Sequence, residues 1–383
     1  MPEKLRILHL VTNADLGGAP RVVTELAKSA IAAGHACAVA SMPNGPLWEH
    51  LDQAVERRPL AHIRREINPR EDLACLFEIR ALYREWRPDV VHLHSSKMGV
   101  LGRLAARMAG KGLWKRTIYT IHGFDTILKA HRIFLPLERL LAKSCAAVVP
   151  ISPYDGENLA THGIKAWTPL VENGVSDRSL ASDAELCSSP AGEKAFRLIA
   201  RSREEGARVV LSIARLAPPK RFDLYVELAR ALPAAHFFWI GNPPDADLAP
   251  FGPLPQNLCL LGEIPEAGNF ARLCDLFVLL SDYEGLPMSI LEALSSAKPV
   301  VASTVGGIAA AIDDSVGTLV PNEPKAITQA VEALLAAPDI LQSKSRAART
   351  RWEERFSVTR MWEKYAELYR QITDDTPRNN HQD

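Results

Sequence analysis

The feature that most constrains the fold is an alternation. Short runs rich in Val and Ile, with little polar interruption, are separated by longer stretches of helical periodicity. In the first part of the chain the runs are RILHLVT (6–12), DVVHLHS (89–95), TIYTIH (117–122) and AVVPIS (147–152). Helices are predicted between them over about 20–33, 72–86, 98–109 and 132–144. A strand covered on both faces has no polar side to alternate with, and helical crossovers join parallel strands. The pattern is that of a doubly wound α/β sheet. It stops between Ser176 and Gly206, where SDRSLASDAELCSSPAGEK and RSREEG offer no strand. It resumes with RVVLSIA (208–214), HFFWIG (236–241), LCLLG (258–262), DLFVLLS (275–281) and PVVAS (299–303).

Two doubly wound, Rossmann-like domains facing a central cleft are therefore expected. Ligands of such sheets sit at the carboxyl ends of the strands, so the cleft is the expected site. The predicted boundaries are a first domain over 1–175, a polar connecting segment over 176–206 and a second domain over 207–355. A C-terminal helix over 356–373 is expected to pack back towards the first domain, and residues 374–383 to be disordered. In that helix Met361, Trp362, Tyr365, Leu368 and Tyr369 recur at helical spacing, which favours core packing over a binding stripe.

Charge and cysteine content exclude several function classes. The 45 basic and 45 acidic residues cancel, so no global field draws in a nucleic-acid backbone. The six cysteines form no CxxC pair and are irregularly spaced, as expected of reduced core residues in a cytoplasmic protein. The first apolar run is broken early by Asn13 and Asp15, which does not suit a signal peptide. No apolar stretch approaches the roughly 18 residues of a spanning helix. A cytoplasmic location is expected, with peripheral attachment to the inner face of the membrane left open.

Three stretches offer chemistry. In LVTNADLGGAPRVV (10–23), Gly17 and Gly18 open a helix directly after a strand. Such a start allows close backbone approach and suits a phosphate, although a plain strand–helix turn reads as well. The spacing is not GxGxxG, which counts against a nicotinamide dehydrogenase. In ARLAPPKRFD (214–223), Arg215 and Lys220 bracket a Pro-Pro turn at the expected sheet edge. They read equally as partners of a diphosphate or as solvated surface charge. In SDYEGLPMSILEALSSAKPVV (281–301), Glu284 precedes a Gly-Leu-Pro turn and Glu292 follows eight residues later within an apolar run. The backbone from Gly285 through Leu286 and Pro287 to Met288 can cradle an anion at a helix mouth. A carboxylate accepts two hydroxyl donors and suits a sugar diol. Were the segment wholly helical, the two carboxylates would lie about 12 Å apart along its axis.

This last stretch resembles the E-x7-E motif of the retaining glycosyltransferases of family four, which have the GT-B fold. GGAPRVV, RPDVVHLHSSKMGVLGRLAA (87–106), YTIHGF (119–124), VENGVSD (171–177), ARLAPPKRFD and VVASTVGGI (300–308) resemble the same family in the same order. The resemblance spans nearly the whole chain. It implies that the second domain holds a nucleotide-sugar donor, favourably UDP-linked and carrying a hexose or N-acetylhexosamine. Glu292 would bind the ribose and Glu284 a hydroxyl of the sugar. The Gly285–Met288 backbone would touch sugar and distal phosphate, and the base would lie near Gly262 to Ile264. Arg215 and Lys220 would neutralise the departing diphosphate in place of a metal, so no cofactor is expected.

By the same resemblance His122, which read alone is more readily structural, would face the sugar near its anomeric carbon. Lys97 and Asn173 would lie on the acceptor side. Arg103, Arg107 and Lys111, at spacings of four, form a predicted basic stripe. It reads equally as a solvated face or as a contact for anionic lipid or a lipid-diphosphate acceptor. The HLH of 92–94 could be a metal pair, although strand-end histidines are the preferred reading. The HSSK form resembles members that assemble cell-surface glycans. The chain departs from the family pattern at Pro20, at Ala309-Ala310 and at Ala297, where Gly usually ends the helix. The competing functions are a nucleotide-sugar 2-epimerase of the same fold and a non-catalytic nucleotide-sugar-binding protein.

Overall fold

The computed structural model describes residues 4–15, 17–124 and 135–374. The chain forms two compact units, one of Met1–Asn173 with Val358–Asp383 and the other of Gly174–Ser357. The expected disordered tail falls, beyond Asp374, outside the described residues. No helix among the described residues is long and apolar enough to cross a membrane.

The first unit holds a six-stranded parallel sheet in the order β3-β2-β1-β4-β5-β6. Its strands are β1 (Arg6–Leu10), β2 (Ala36–Ser41), β3 (Glu56–Pro59), β4 (Val90–His94), β5 (Thr117–Ile121) and β6 (Ala147–Pro150). All five residues of β4 and of β5 are buried, which is why these runs read as continuously apolar. The helix Ser96–Ala109 lies close on β4: a Cβ on Gly102 would come within 2.3 Å of the Leu93 side chain. The C-terminal helix Val358–Thr373 belongs to this unit. It buries Met361, Tyr365, Leu368, Tyr369 and Ile372 along one face, while Trp362 is only half-buried. The two buried phenols find hydroxyl and imidazole partners: Tyr365 Oη lies 2.9 Å from Thr120 Oγ1, and Tyr369 Oη 2.7 Å from His92 Nδ1.

The second unit repeats the topology, with sheet order β12-β11-β10-β7-β8-β9. Its strands are β7 (Arg208–Ile213), β8 (Ala235–Ile240), β9 (Leu258–Leu260), β10 (Leu276–Leu279), β11 (Val300–Ser303) and β12 (Gly317–Val320). The segment 176–206 is not a mere connection, contrary to expectation. It belongs to the second unit and contains the helices Asp183–Leu186 and Pro190–Glu204. Its polar composition hides a narrow buried face, Ala195, Ile199 and Ser202 at helical spacing. The opposite face is charged and self-paired, as in Arg201–Glu205 at 2.8 Å.

In each sheet the strand order reverses between the first and fourth strands, β1/β4 and β7/β10. Ligands of such sheets bind at the carboxyl ends of the strands beside this reversal.

Candidate active site

In the second unit the loops after β7 and β10 are laced together at this reversal point. Arg221 N–H donates to Leu280 O at 2.9 Å, and Asp282 N–H to Pro219 O at 2.9 Å. Lys220 and Ser281 form an antiparallel bridge between these bonds. The lacing sets the Lys220 ammonium against Glu284, whose Oε1 it bonds. Ser281 Oγ donates to the same oxygen at 2.7 Å. Glu284 Oε2 has no protein partner among the described residues.

Ser281 is itself fixed by a buried polar cycle. Its N–H donates to Ser303 Oγ (2.9 Å), Ser303 Oγ to Asn322 Oδ1 (2.6 Å), and Asn322 Nδ2 to Ser281 O (2.9 Å). The Glu284 backbone is held too, since its carbonyl accepts Gly307 N–H at 3.1 Å. Beside it Gly306 has φ +52°, and a Cβ there would lie 1.9 Å from Glu284 O, so this position admits only glycine.

The helix after Glu284 begins only at Met288 and runs to Ser295. Pro287 precedes it in extended conformation (φ −64°, ψ 123°). The premise of a wholly helical 284–292 segment therefore fails, and the 12 Å axial separation with it. Glu284 stands on the loop and Glu292 within the helix. Among the described residues the N–H groups of Gly285 and Met288 have no protein acceptor, while the Leu286 and Pro287 side chains are buried beneath them. Arg215, two residues beyond β7, is exposed and makes no side-chain hydrogen bond or ion pair among the described residues. The loop thus offers one tethered cation, one free cation, two backbone donors and one open carboxylate oxygen.

Glu292 is buried, and its partner here is Arg178, at 3.4 Å. Arg178 also bonds Glu266 (2.6 Å) and Asn269 (3.2 Å). The carboxylate rests against Gly268, where a Cβ would lie 2.4 Å from Glu292 Cδ. Arg349 secures the stretch that bears Arg178: it grips Asp177 through both carboxylate oxygens (2.7 and 2.6 Å) and bonds Ser295 O at 2.7 Å. The sequence reading missed Arg178, Gly268 and Arg349, all distant in the chain from the motif they support. Gly306-Gly307 was visible in VVASTVGGI, but without a role.

The helix Met288–Ser295 closes with a Schellman motif, Lys298 N–H to Ala293 O (2.9 Å) and Ala297 N–H to Leu294 O (2.9 Å). Ala297 itself takes the left-handed conformation, φ +56°. Where the family usually has Gly, alanine here occupies the left-handed region itself. Ile264 is buried, just past Gly262, whose N–H donates to Asn242 Oδ1 at 2.8 Å.

In the first unit Gly17 is the extended N-cap of the helix Gly18–Ala32, with Pro20 its third residue; Leu16 of the same stretch lies outside the described residues. Lys97 is held locally by Asp72 (2.8 Å) and by Glu66 O. Arg103 does not belong to an exposed basic stripe. It is fully buried, bonded to Glu138 at 2.6 Å and stacked over the Tyr119 ring at 4.7 Å, because the stripe's helix turns this position onto the core. Arg107 and Lys111 are exposed. Asn173 is buried at the end of the first unit.

His122 follows β5. The loop behind it is pinned by Asp155, whose Oδ1 accepts Phe124 N–H at 2.8 Å. His122 Nε2 meets His94 Nδ1 at 3.1 Å, and His94 Nε2 meets His9 Nδ1 at 3.2 Å. Burial lowers the pKa of His122 to about 4 and of His9 to about 3, and that of His92 and His94 well below the ordinary value. Nitrogens of His9, His92 and His94 lie within 4.8 Å of one another. The group is nonetheless a hydrogen-bonded one. Both His92 nitrogens are taken by hydroxyls, Tyr369 and Thr120 at 2.7 Å each, and both His94 nitrogens by histidines. Of the HLH pair, His94 ends β4 and His92 lies at its middle.

Comparison with known proteins finds similar sequences and similar folds. Residues 16–178 match the family described as Glycosyltransferase Family 4, and residues 207–337 that described as Glycosyl transferases group 1. The chain is 27% identical over 348 residues to an Escherichia coli UDP-Gal:alpha-D-GlcNAc-diphosphoundecaprenol alpha-1,3-galactosyltransferase, covering 85% of this chain and 86% of that one. Its fold is similar to a Rickettsia africae glycosyltransferase, with TM-score 0.79, 21% identity, and 97% and 100% of the two chains covered. It is likewise similar to the Anabaena protein HepE solved with UDP and glucose, with TM-score 0.78, 20% identity, and 96% and 100% covered.

Proposed function

This chain belongs to the family four glycosyltransferases of GT-B fold, and from that premise we propose a retaining enzyme that moves a hexose or N-acetylhexosamine from a UDP-linked donor to a lipid-diphosphate-linked glycan. The observation that carries the proposal is the juxtaposition at the second unit's reversal point of Lys220, Glu284 and the free N–H groups of Gly285 and Met288. These are the groups a sugar diphosphate requires: a cation and backbone donors for phosphate, and a carboxylate oxygen for a sugar hydroxyl. The relative named for UDP-galactose and a diphosphoundecaprenol acceptor supports the same donor and acceptor classes here.

In this reading the Lys220 ammonium, with three donors, keeps Glu284 and still reaches the distal phosphate. Arg215 joins it, and the two stabilise the charge that builds on the departing diphosphate. They do so in place of a metal. Glu284 takes a sugar hydroxyl on Oε2. A ribose diol joins the existing Arg178–Glu292 pair rather than meeting a bare carboxylate. His122, neutral at physiological pH, hydrogen-bonds the transferred sugar. The acceptor attacks from the leaving-group face and its proton passes to the departing phosphate, so no side-chain nucleophile is needed. With Arg103 buried, Arg107 and Lys111 are the residues left to meet an anionic lipid headgroup at the membrane's inner face.

The test is a screen of nucleotide sugars for transfer and hydrolysis, with Glu284→Ala and Lys220→Ala as controls and the anomeric configuration of the product read by NMR. Loss in both variants and retained configuration are expected. Full activity in either variant would overturn the site assignment, and turnover to an epimer without any acceptor would identify an epimerase instead.

A further inference from the structure

We propose that His9 and His94 form a one-way hydrogen-bond relay that fixes His122 as the tautomer protonated on Nδ1. The relay runs across three strand ends: His9 on β1, His94 on β4 and His122 just after β5. Its links are His9 Nδ1 to His94 Nε2 at 3.2 Å and His94 Nδ1 to His122 Nε2 at 3.1 Å. Burial keeps these rings neutral, so each has a single N–H. His94 must therefore donate to one neighbour and accept from the other, and only two settings of the whole chain exist.

The far end decides between them. His9 Nε2 is buried without a partner among the described residues. If His122 donated from Nε2, the last proton of the chain would sit on His9 Nε2, a buried N–H with no acceptor. In the opposite setting His9 Nε2 holds only a lone pair. Buried N–H groups left without an acceptor are the rarer fault. The second setting wins, with His9 donating to His94 and His94 to His122. His92 does not compete, since both its nitrogens are engaged by Tyr369 and Thr120. The other titratable groups facing the cluster are neutral as well: burial raises the pKa of Tyr365 and Tyr369, and pushes Cys37 beside Tyr369 up to about 12.

The consequence bears on the chemistry proposed above and rests on that reading of His122. With Nε2 accepting from His94, His122 offers Nδ1–H as a donor and has no lone pair left to act as a base. It can hydrogen-bond a sugar oxygen but cannot take the acceptor's proton, which leaves the departing phosphate to do so. His9 and His94 are positioning residues, and neither needs to touch substrate.

Histidine-selective ¹⁵N NMR of the full chain tests the relay without a variant. The expected spectrum has His122 Nδ1 protonated and Nε2 unprotonated; the reverse would overturn the proposal. His94→Phe is expected to release His122 towards the Nε2–H form and to lower kcat by on the order of tenfold at nearly constant donor KM. His94→Gln, whose amide N–H can again donate to Nε2, should restore part of that rate. If His94→Phe fails to fold, His9→Gln, whose amide can either donate to His94 Nε2 or accept from it, should give mixed His122 tautomers. A spectrum unchanged in these variants would refute the relay. His122→Ala with undiminished transfer would instead refute the catalytic role of His122 and leave the tautomer assignment standing.

Discussion

Replacing Gly268 by alanine places a methyl group where the Glu292 carboxylate now rests. The added Cβ would lie 2.4 Å from Cδ and 2.6 and 2.7 Å from the two oxygens. Non-bonded carbons settle at about 3.5–4.0 Å, so the carboxylate has to retreat by roughly 1 Å. The Arg178 contact, already 3.4 Å, then passes beyond hydrogen-bonding range. Arg178 keeps Glu266 and Asn269, so no cation is stranded. The atoms in the way end a flexible side chain, and the cost to the fold is expected to be only about 1–2 kcal/mol. The cost to donor binding is larger. Misplacing a charged acceptor forfeits about 1.5–3 kcal/mol, so the donor KM should rise roughly tenfold to a hundredfold. Initial-rate kinetics with varied donor, alongside a thermal melt, separate the two costs. Glu292→Gln should give a similar KM, and the double variant little more, because both act through one carboxylate. An unchanged KM in Gly268→Ala, or fully additive losses in the double variant, would refute the role of Glu292.

Three further outcomes follow from the structure. His9, His92 and His94 are fully buried with lowered pKa values, so below about pH 6.5 the unfolded chain binds protons that the folded one does not. Stability is then complete above that pH and falls as pH drops towards the folded values, by up to about 1.4 kcal/mol per pH unit per histidine; urea melts at pH 7.5 and 5.5 check it, and equal midpoints would contradict it. Ala297→Gly should stabilise by about 1 kcal/mol by relieving the φ +56° alanine, raising Tm by roughly 2–4 °C. Arg103→Ala should cost about 3–5 kcal/mol in denaturant melts by stranding buried Glu138, where an exposed lipid-contact arginine would cost almost nothing.

The parts of the fold that were legible share one property: they bury apolar residues on a regular period. β4, β5, β7 and β10 are covered on both faces and read as unbroken apolar runs. β3 is an edge strand whose Glu56, Arg57 and Arg58 leave the usual signature absent, as edge strands often do. The helix Pro190–Glu204 buries so narrow a face that its charged residues dominated the reading. Arg103 misled for the converse reason. Four-residue spacing places residues on one helix face but does not say which way that face points, and a buried partner such as Glu138, 35 residues away, leaves no local trace. The candidate site was legible where neighbours in sequence are neighbours in space, as from Glu284 to Met288. The lacing of Lys220 to Ser281, the seat of Glu292 on Gly268 and the histidine relay are all tertiary, and only the strand order brings them together.

In the function proposed, the Arg215–Lys220 loop and the Glu284–Met288 loop form the donor diphosphate site. Isothermal titration of UDP into the full chain without divalent metal tests it most directly, comparing wild type with Arg215→Ala and Lys220→Ala. Saturable binding by the wild type, weakened roughly tenfold or more in each variant, is the predicted result. Equal UDP affinity in all three proteins would contradict the claim.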